Sequence, residues 1–319
     1  MTEKIHLEFC IPEELAGKRL DQAVATLAPT YSRATLQKWI TQGWLQLDGR
    51  VETLVRFKVA GQETVVIDAE LSPVLAWVAQ DIALNIVYED EDVLVINKPA
   101  GLVVHPAVGN KDKTLVNALL HHVPGLSNIP RAGIVHRLDK ETSGLLVVAK
   151  TLAAHTSLVR QLQARTMGRI YQAFVTKVLI AGGKVDAPLG RHPHARTKMA
   201  VVKEGKHAVT HYRIKKRFPA HTWLECRLET GRTHQIRVHL AHIAHPLIGD
   251  PVYGGRLQVP PKASPELVLV LKMLKRQALH ASHLAFLHPT TGETLAFDAP
   301  LPADLERLLA ALQADSTRE

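Results

Sequence analysis

Gly133-Ile134-Val135-His136-Arg137-Leu138-Asp139-Lys140-Glu141-Thr142-Ser143-Gly144-Leu145-Leu146-Val147-Val148-Ala149-Lys150 is the stretch on which the fold turns. Its second half is an unbroken, branched apolar run, the pattern of a strand covered on both faces. Its first half sets a dense polar cluster against that run, so the polar residues lie on a loop leading into the core. A carboxylate there, with Arg137 and Lys140 beside it, is well placed for chemistry. The spacing fits a structural ion pair at the start of a strand equally well.

Outward from this stretch, strand-like runs recur at residues 93–96, 171–178, 223–228 and 295–297, with helical stretches at 115–122, 152–167 and 302–312. Strands without regular β-α-β alternation predict a mixed α+β domain. The first 70 residues read differently. Leu20, Val24 and Leu27 share one helical face up to Pro29, Ser32 can cap a second helix carrying Leu36 and Ile40, and Gly43 can close it. Residues 44–47 alternate as a strand into Asp48-Gly49, a strong hairpin turn, and residues 63–68 read as another strand. Residues 71–81, without charge until Asp81, read as a linker. The chain thus divides into a small α/β module at 1–70, a linker at 71–81 and a main domain at 82–319.

Composition removes several function classes. Of 319 residues, 46% are hydrophobic and 22% charged, an ordinary globular balance. The two cysteines, Cys10 and Cys226, form no CxxC spacing, which excludes a disulfide scaffold and a thiolate zinc site and fits a reducing compartment. No apolar run approaches the ~18 residues that span a bilayer, and the N-terminus lacks a signal-peptide layout. A cytoplasmic protein without membrane contact is expected. Lys and Arg total 39 against 30 acids, an excess that suits a polyanionic partner. The excess is concentrated: residues 1–70 carry 8 basic and 10 acidic side chains, residues 81–319 carry 31 and 20. Within that larger part, residues 191–217 hold nine basic residues against Glu204 and are expected to face a phosphate backbone. Phosphate loops, dinucleotide fingerprints and HExxH are absent, and the paired histidines lack partners at ligand spacing, so no metal is expected.

Two further segments carry chemistry-bearing residues. Glu229-Thr230-Gly231-Arg232-Thr233-His234-Gln235-Ile236-Arg237-Val238-His239 concentrates two arginines and two histidines. With residues 233–243 helical, His234 and Arg237 sit one turn apart, and Thr230-Gly231 turns into an N-terminus suited to phosphate. Arg169-Ile170-Tyr171 opens a strand after a long helix. Tyr171 is either sheet packing or a ring on which a base can stack.

Taken in order, these three segments resemble the RluA-type family of RNA pseudouridine synthases. Asn97-Lys98-Pro99-Ala100-Gly101-Leu102-Val103-Val104-His105-Pro106 and His245-Pro246-Leu247-Ile248-Gly249-Asp250-Pro251-Val252-Tyr253-Gly254 fit the same pattern, which covers nearly all of residues 81–300. In front, Gly17-Lys18-Arg19-Leu20-Asp21, Ser32-Arg33, Gly43 and Leu47-Asp48-Gly49-Arg50 resemble the S4 RNA-binding module. The resemblance implies a largely antiparallel α+β catalytic domain that turns uridine into pseudouridine. It implies that Asp139 is the essential aspartate, Tyr171 the active-site tyrosine and Arg237 the basic partner of the aspartate. Arg137 matches the residue that enters the RNA where the base has left, and Ile236 the apolar floor beneath the uracil. Arg232 and His234 are expected as further RNA contacts, and Arg19, Arg33 and Lys38 as those of the front module. The implied partner is ribosomal RNA, 23S rRNA or a pre-50S particle, at the helix 69 hairpin, met by a monomer without cofactor. Glu141 departs from the family's more common aspartate, and Met167-Gly168 from a polar or basic pair.

Such a set suffices chemically. The isomerisation breaks a C–N bond and makes a C–C bond on the same base, so it needs no redox partner or group donor. A stacked base must first be flipped out, and a planar guanidinium can fill the gap. An ionised carboxylate among apolar walls needs a facing cation. It can then attack covalently or remove a ribose proton; the residues do not choose between these routes. Two other readings stand beside this one: an RNA binder that kept the scaffold without catalysis, and an Asp-dependent glycosidase, which requires a second carboxyl group.

Overall fold

The N-terminal elements are β1 (Glu3–Cys10), α1 (Leu20–Leu27), α2 (Arg33–Thr41), β2 (Leu45–Leu47), β3 (Arg50–Val51) and β4 (Thr64–Leu71). The computed structural model describes residues 3–29, 31, 33–71, 77–107, 109–195 and 197–317. The four described strands pair in the order β1-β4-β2-β3. Asp48 and Gly49, with φ of 47° and 74°, make the tight turn between β2 and β3. Leu20, Val24, Leu36, Trp39 and Ile40 from the helices meet Leu45, Val65 and Ile67 from the sheet in one core. The helices and the strands at 45–47 and 64–71 follow the sequence pattern; β1, which pairs with β4 over eight residues, was not read from it. Ser32, the expected helix cap, lies outside the described residues.

The chain separates into two units, Met1–Ala76 and Trp77–Glu319, so the division falls inside 71–81. That stretch is not a free linker throughout. Asn117 donates to Val78 O at 2.8 Å and accepts from Gln80 N–H through its own carbonyl at 3.0 Å, which ties these residues to the second unit.

The second unit comprises β5 (Ile86–Glu89), β6 (Val93–Lys98), α3 (Leu115–His122), β7 (Ser143–Ala149), α4 (Leu152–Ala164), β8 (Gly168–Thr176), β9 (Gly183–Asp186), β10 (Leu189–Arg191), β11 (Met199–Val201), β12 (Val209–Arg217), β13 (His221–Leu228), α5 (Gln235–His242), α6 (Pro265–Met273), β14 (Leu279–Leu287), β15 (Thr294–Asp298) and α7 (Ala303–Ser316). Nine of the described strands form one sheet, β5-β6-β7-β14-β8-β13-β12-β9, with β15 beside β14. Its pairings are antiparallel except β7 with β14. Leu94, Ile96, Leu146 and Val148 face α3 on one side; Val93, Val95, Leu145 and Val147 face α4 on the other. Both faces are covered, which is why β6 and β7 are apolar throughout instead of alternating. The architecture is the α+β one expected.

Two boundaries differ from the periodicity. The helix expected over 152–167 stops at Ala164 because Arg165 adopts a left-handed φ of 61° and caps it. The strand that follows begins at Gly168 and ends at Thr176, where Lys177 turns with a φ of 67°. Gly144 has a structural reason to be glycine. Its φ is 118°, and a Cβ there would lie 2.2 Å from Ala281 O on the parallel neighbour β14.

Candidate active site

The four residues after Asp139 are each tied to a different partner. Lys140 O accepts from the Lys98 ammonium at 3.0 Å and from Gly101 N–H at 2.9 Å. Glu141 O accepts from Arg276 at 3.2 Å, and Asp304 holds that guanidinium at 2.6 and 2.8 Å. Gln277 donates to Thr142 Oγ1 at 3.0 Å, and Ser143 Oγ lies 2.9 Å from His280 Nδ1. Lys98 also donates to Pro99 O and Leu102 O, at 2.8 and 3.0 Å. Burial pulls its pKa down to about 7, against the opposing charges of Glu141 and Asp139. The polar cluster read from the sequence is therefore largely scaffolding that fixes one loop.

Ahead of Asp139 the side chains alternate. His136 Nε2 accepts from Val147 N–H at 3.3 Å, and desolvation pushes its pKa down to about 3, so it stays a neutral acceptor. Leu138 enters the core, while Arg137 is exposed and has no hydrogen-bond partner among the described residues.

Asp139 itself is 17% exposed and accepts from Arg237 Nη1 at 3.1 Å. Arg237, on α5 and 5% exposed, spends its other donors on Asp250, at 2.8 and 2.9 Å. Asp250 also accepts from the N–H groups of Val252 and Tyr253, at 2.8 and 3.0 Å. Burial alone would push the Asp250 carboxyl up, but Arg237 and these amides outweigh it and hold it below the usual range. Burial likewise works against the Arg237 charge, and Asp250 with Asp139 overrules it. The result is a guanidinium clamped in one orientation, with one edge left for Asp139.

A cavity of about 580 Å³ opens in front of this pair. Its apolar lining includes Leu138, Ile236 and Leu279. Tyr171, on β8, contributes a ring that is 6% exposed; burial raises its pKa, with Arg169 opposing, so it remains a phenol. Arg131, Arg137, Arg165, Arg169, Arg232 and Arg237 also line it, against the acids Asp139 and Glu229. Among the described residues, no three His, Cys, Asp or Glu side chains gather to hold a metal.

The structure brings Asp139, Tyr171, Arg237, Arg137, Ile236, Arg232 and His234 to this one cavity. One local expectation is corrected: the helix starts at Gln235, not 233, and His234 takes a left-handed φ of 56° before it. His234 reaches the site from that turn, with Nε2 3.9 Å from Asp139 and Nδ1 2.8 Å from the Tyr253 hydroxyl. Burial lowers its pKa, and Asp139 opposes the shift. The Arg232 N–H is not free for phosphate, since Gln235 Oε1 accepts it at 3.0 Å. In the basic stretch, Lys203, Lys206, Arg213, Lys215, Lys216 and Arg217 are exposed. The sequence pattern assigns no role to Asp250 or Tyr253. Gly-Asp-Pro reads as a turn, and nothing local announces an arginine's counter-ion.

Arg19 and Arg33 lie in the other unit. Both donate to Asp21, at 3.0 and 2.6 Å among their contacts, and Gln37 adds a third donor at 2.6 Å. Arg33 and Gln37 thereby tie α2 to α1, while Arg19 bonds Asp21 within α1's first turn; both arginines remain partly exposed, and Lys38 is exposed on α2.

Comparison with known proteins gives a consistent picture. Residues 92–242 match the family model described as RNA pseudouridylate synthase. The chain is 56% identical over 315 residues to "Ribosomal large subunit pseudouridine synthase D" of Pseudomonas aeruginosa, covering 99% of this chain and 98% of the relative. The protein of the same name from Vibrio cholerae is 52% identical over 316 residues, again covering 99% and 98%. Among solved structures, "Human RNA Pseudouridylate Synthase Domain Containing 4" superposes with a TM-score of 0.57 at 27% identity, covering 72% of this chain and 93% of that one.

Proposed function

The chain belongs to the RNA pseudouridylate synthase family, and from that premise we propose that it isomerises uridine to pseudouridine in large-subunit ribosomal RNA, with the helix 69 hairpin as its target. The observation that carries this is the Asp139 carboxylate, clamped by Arg237 at 3.1 Å, at the floor of an arginine-rich cavity of about 580 Å³. A flipped nucleotide fits that volume and sign of charge.

Each residue has a role in this reading. Arg137, exposed and unpartnered among the described residues, fills the stack that the base leaves. Tyr171 and Ile236 sandwich the uracil, and the tyrosine hydroxyl donates to it. Asp139 acts on the sugar or the base as the N1–C1′ bond breaks; the base turns and C5 bonds to C1′. A proton leaves C5 and one returns to N1, so the product is an isomer and no cofactor enters. His234 and Arg232 guide the RNA at the rim. The N-terminal unit adds affinity through Arg19, Arg33 and Lys38. The protein acts as a monomer in the cytoplasm.

The glycosidase reading lacks its second group. Glu229, the other acid on the cavity, is paired with Arg165 at 2.9 Å and His211 at 2.7 Å. The hydrogen bond from His211 holds its carboxyl below the usual range, which makes it a poor proton donor. The test of the whole reading is to incubate the purified protein with 23S rRNA transcript and map pseudouridine at single-nucleotide resolution. Pseudouridine in the helix 69 hairpin is expected; none anywhere in the transcript rejects the reading.

A further inference from the structure

Arg169 is a buried cation to which the described residues offer no anion. It precedes Tyr171 by two on β8, so both side chains point to the same face of the sheet, and both line the cavity. Arg169 is 6% exposed, and its Nε is buried without a hydrogen-bond partner. The unit's other buried cations are provided for: Arg237 by Asp250 and Asp139, Arg276 by Asp304, Lys98 by three carbonyls. The one further acid on the cavity, Glu229, already holds Arg165 and His211. A buried charge without a counter-ion costs stability, and such a cost persists where a ligand supplies the missing partner.

Gly231 is the second observation. A Cβ at Gly231 would sit 2.8 Å from Arg169 Nη1, so the absence of a side chain there leaves the guanidinium its place at the cavity wall. The uracil offers Arg169 neutral carbonyls and the ribose neutral hydroxyls; the anion of RNA is its phosphate. Resting on the functional reading above, we propose that Arg169 binds the phosphate adjoining the flipped uridine, and that Gly231 keeps room for that contact. Arg169 thereby sets the depth to which the nucleotide enters, while Arg137 occupies the gap left behind.

The test pairs Arg169→Met and Gly231→Ala with synthetic hairpins carrying the mapped target uridine, in which either flanking phosphate is replaced by a neutral methylphosphonate. Arg169→Met is expected to melt at or above the wild-type temperature, because it removes an unpaired charge. Its kcat/KM should fall about tenfold or more, the loss of one charge-assisted contact. One methylphosphonate should cost the wild type a similar factor and cost Arg169→Met nothing further, with Gly231→Ala falling between. Losses that multiply at both linkages overturn the proposal, as does a lowered melting temperature with unchanged kcat/KM, which makes Arg169 structural. A wild type that forms no pseudouridine on the unmodified hairpin overturns the functional reading, and this inference with it.

Discussion

Asp21 in the N-terminal unit and Asp139 in the C-terminal unit both accept hydrogen bonds from arginine, but their surroundings differ in completeness. Asp21 is 0% exposed and receives Arg19, Arg33 and Gln37 together. Burial pushes its carboxyl up, and those three donors outweigh burial and hold it below the usual range. Asp139 receives Arg237 alone among the described residues, and Asp250 takes the rest of that guanidinium. The Tyr171 hydroxyl and the Arg137 guanidinium nearby have no hydrogen-bond partner among the described residues. A cluster that only joins helices saturates its carboxylate, whereas one built to receive a substrate leaves donors and acceptors over, held rigidly by groups behind them.

Removing Arg237 should break the second cluster most severely. Arg237→Met strands Asp250, which is fully buried, and should cost ~3–5 kcal/mol of stability together with all detectable pseudouridine formation. Denaturant unfolding and RNA mapping on the same preparation check both. Asp21→Asn should cost less, ~1.5–3 kcal/mol, because its arginines reach solvent, and should leave the chemical step intact. It carries a pH signature. The folded pKa of Asp21 lies below the unfolded value, so its stabilisation is present above pH ~4 and is lost as pH falls through the folded pKa. Melting curves of Asp21→Asn should therefore be lower at neutral pH and flatter in acid than those of the wild type.

Smaller effects sharpen the same contrast. Tyr171→Phe keeps the ring and deletes one unpaired hydroxyl. It should slow turnover about tenfold, ~1.4 kcal/mol, with RNA affinity and melting temperature unchanged. A variant as fast as the wild type assigns Tyr171 to sheet packing. Lys38→Gln should be mildest: a few-fold weaker RNA binding, and a log–log salt slope shallower by ~0.7–0.9, as expected for one phosphate contact. An unchanged slope removes Lys38 from the interface.

How much of this was legible in the sequence follows from the physics of each part. The loop at 133–150 could be read because a polar cluster against a two-face-buried strand is locally unusual, and the resemblance then tied it to Tyr171 and Arg237 far along the chain. β14 could not. Leu279-His280-Ala281-Ser282-His283-Leu284-Ala285-Phe286-Leu287 shows no clean alternation, because a register shift against β8 between Ala281 and His283 breaks the period-2 pattern. Helix α6 was missed for the opposite reason: Leu267-Val268-Leu269-Val270-Leu271 has strand composition, and its Ser264 cap and its packing on α7 make it helical. Asp250 pairs with Arg237 from another element, Lys98 reaches Lys140 O across the fold, and Arg169 has no anion among the described residues. Their function lies in who neutralises whom, and residue spacing carries no record of that.

The central claim is that Asp139 is left incompletely paired in order to react, and Asp139→Asn tests it most directly. The substitution keeps the size of the side chain and an acceptor for Arg237, whose charge Asp250 still balances. Pseudouridine yield, RNA affinity and melting temperature should be measured together on the full chain. The account predicts no pseudouridine, with affinity and melting temperature close to wild type. Pseudouridine formed at a rate near that of the wild type would contradict it.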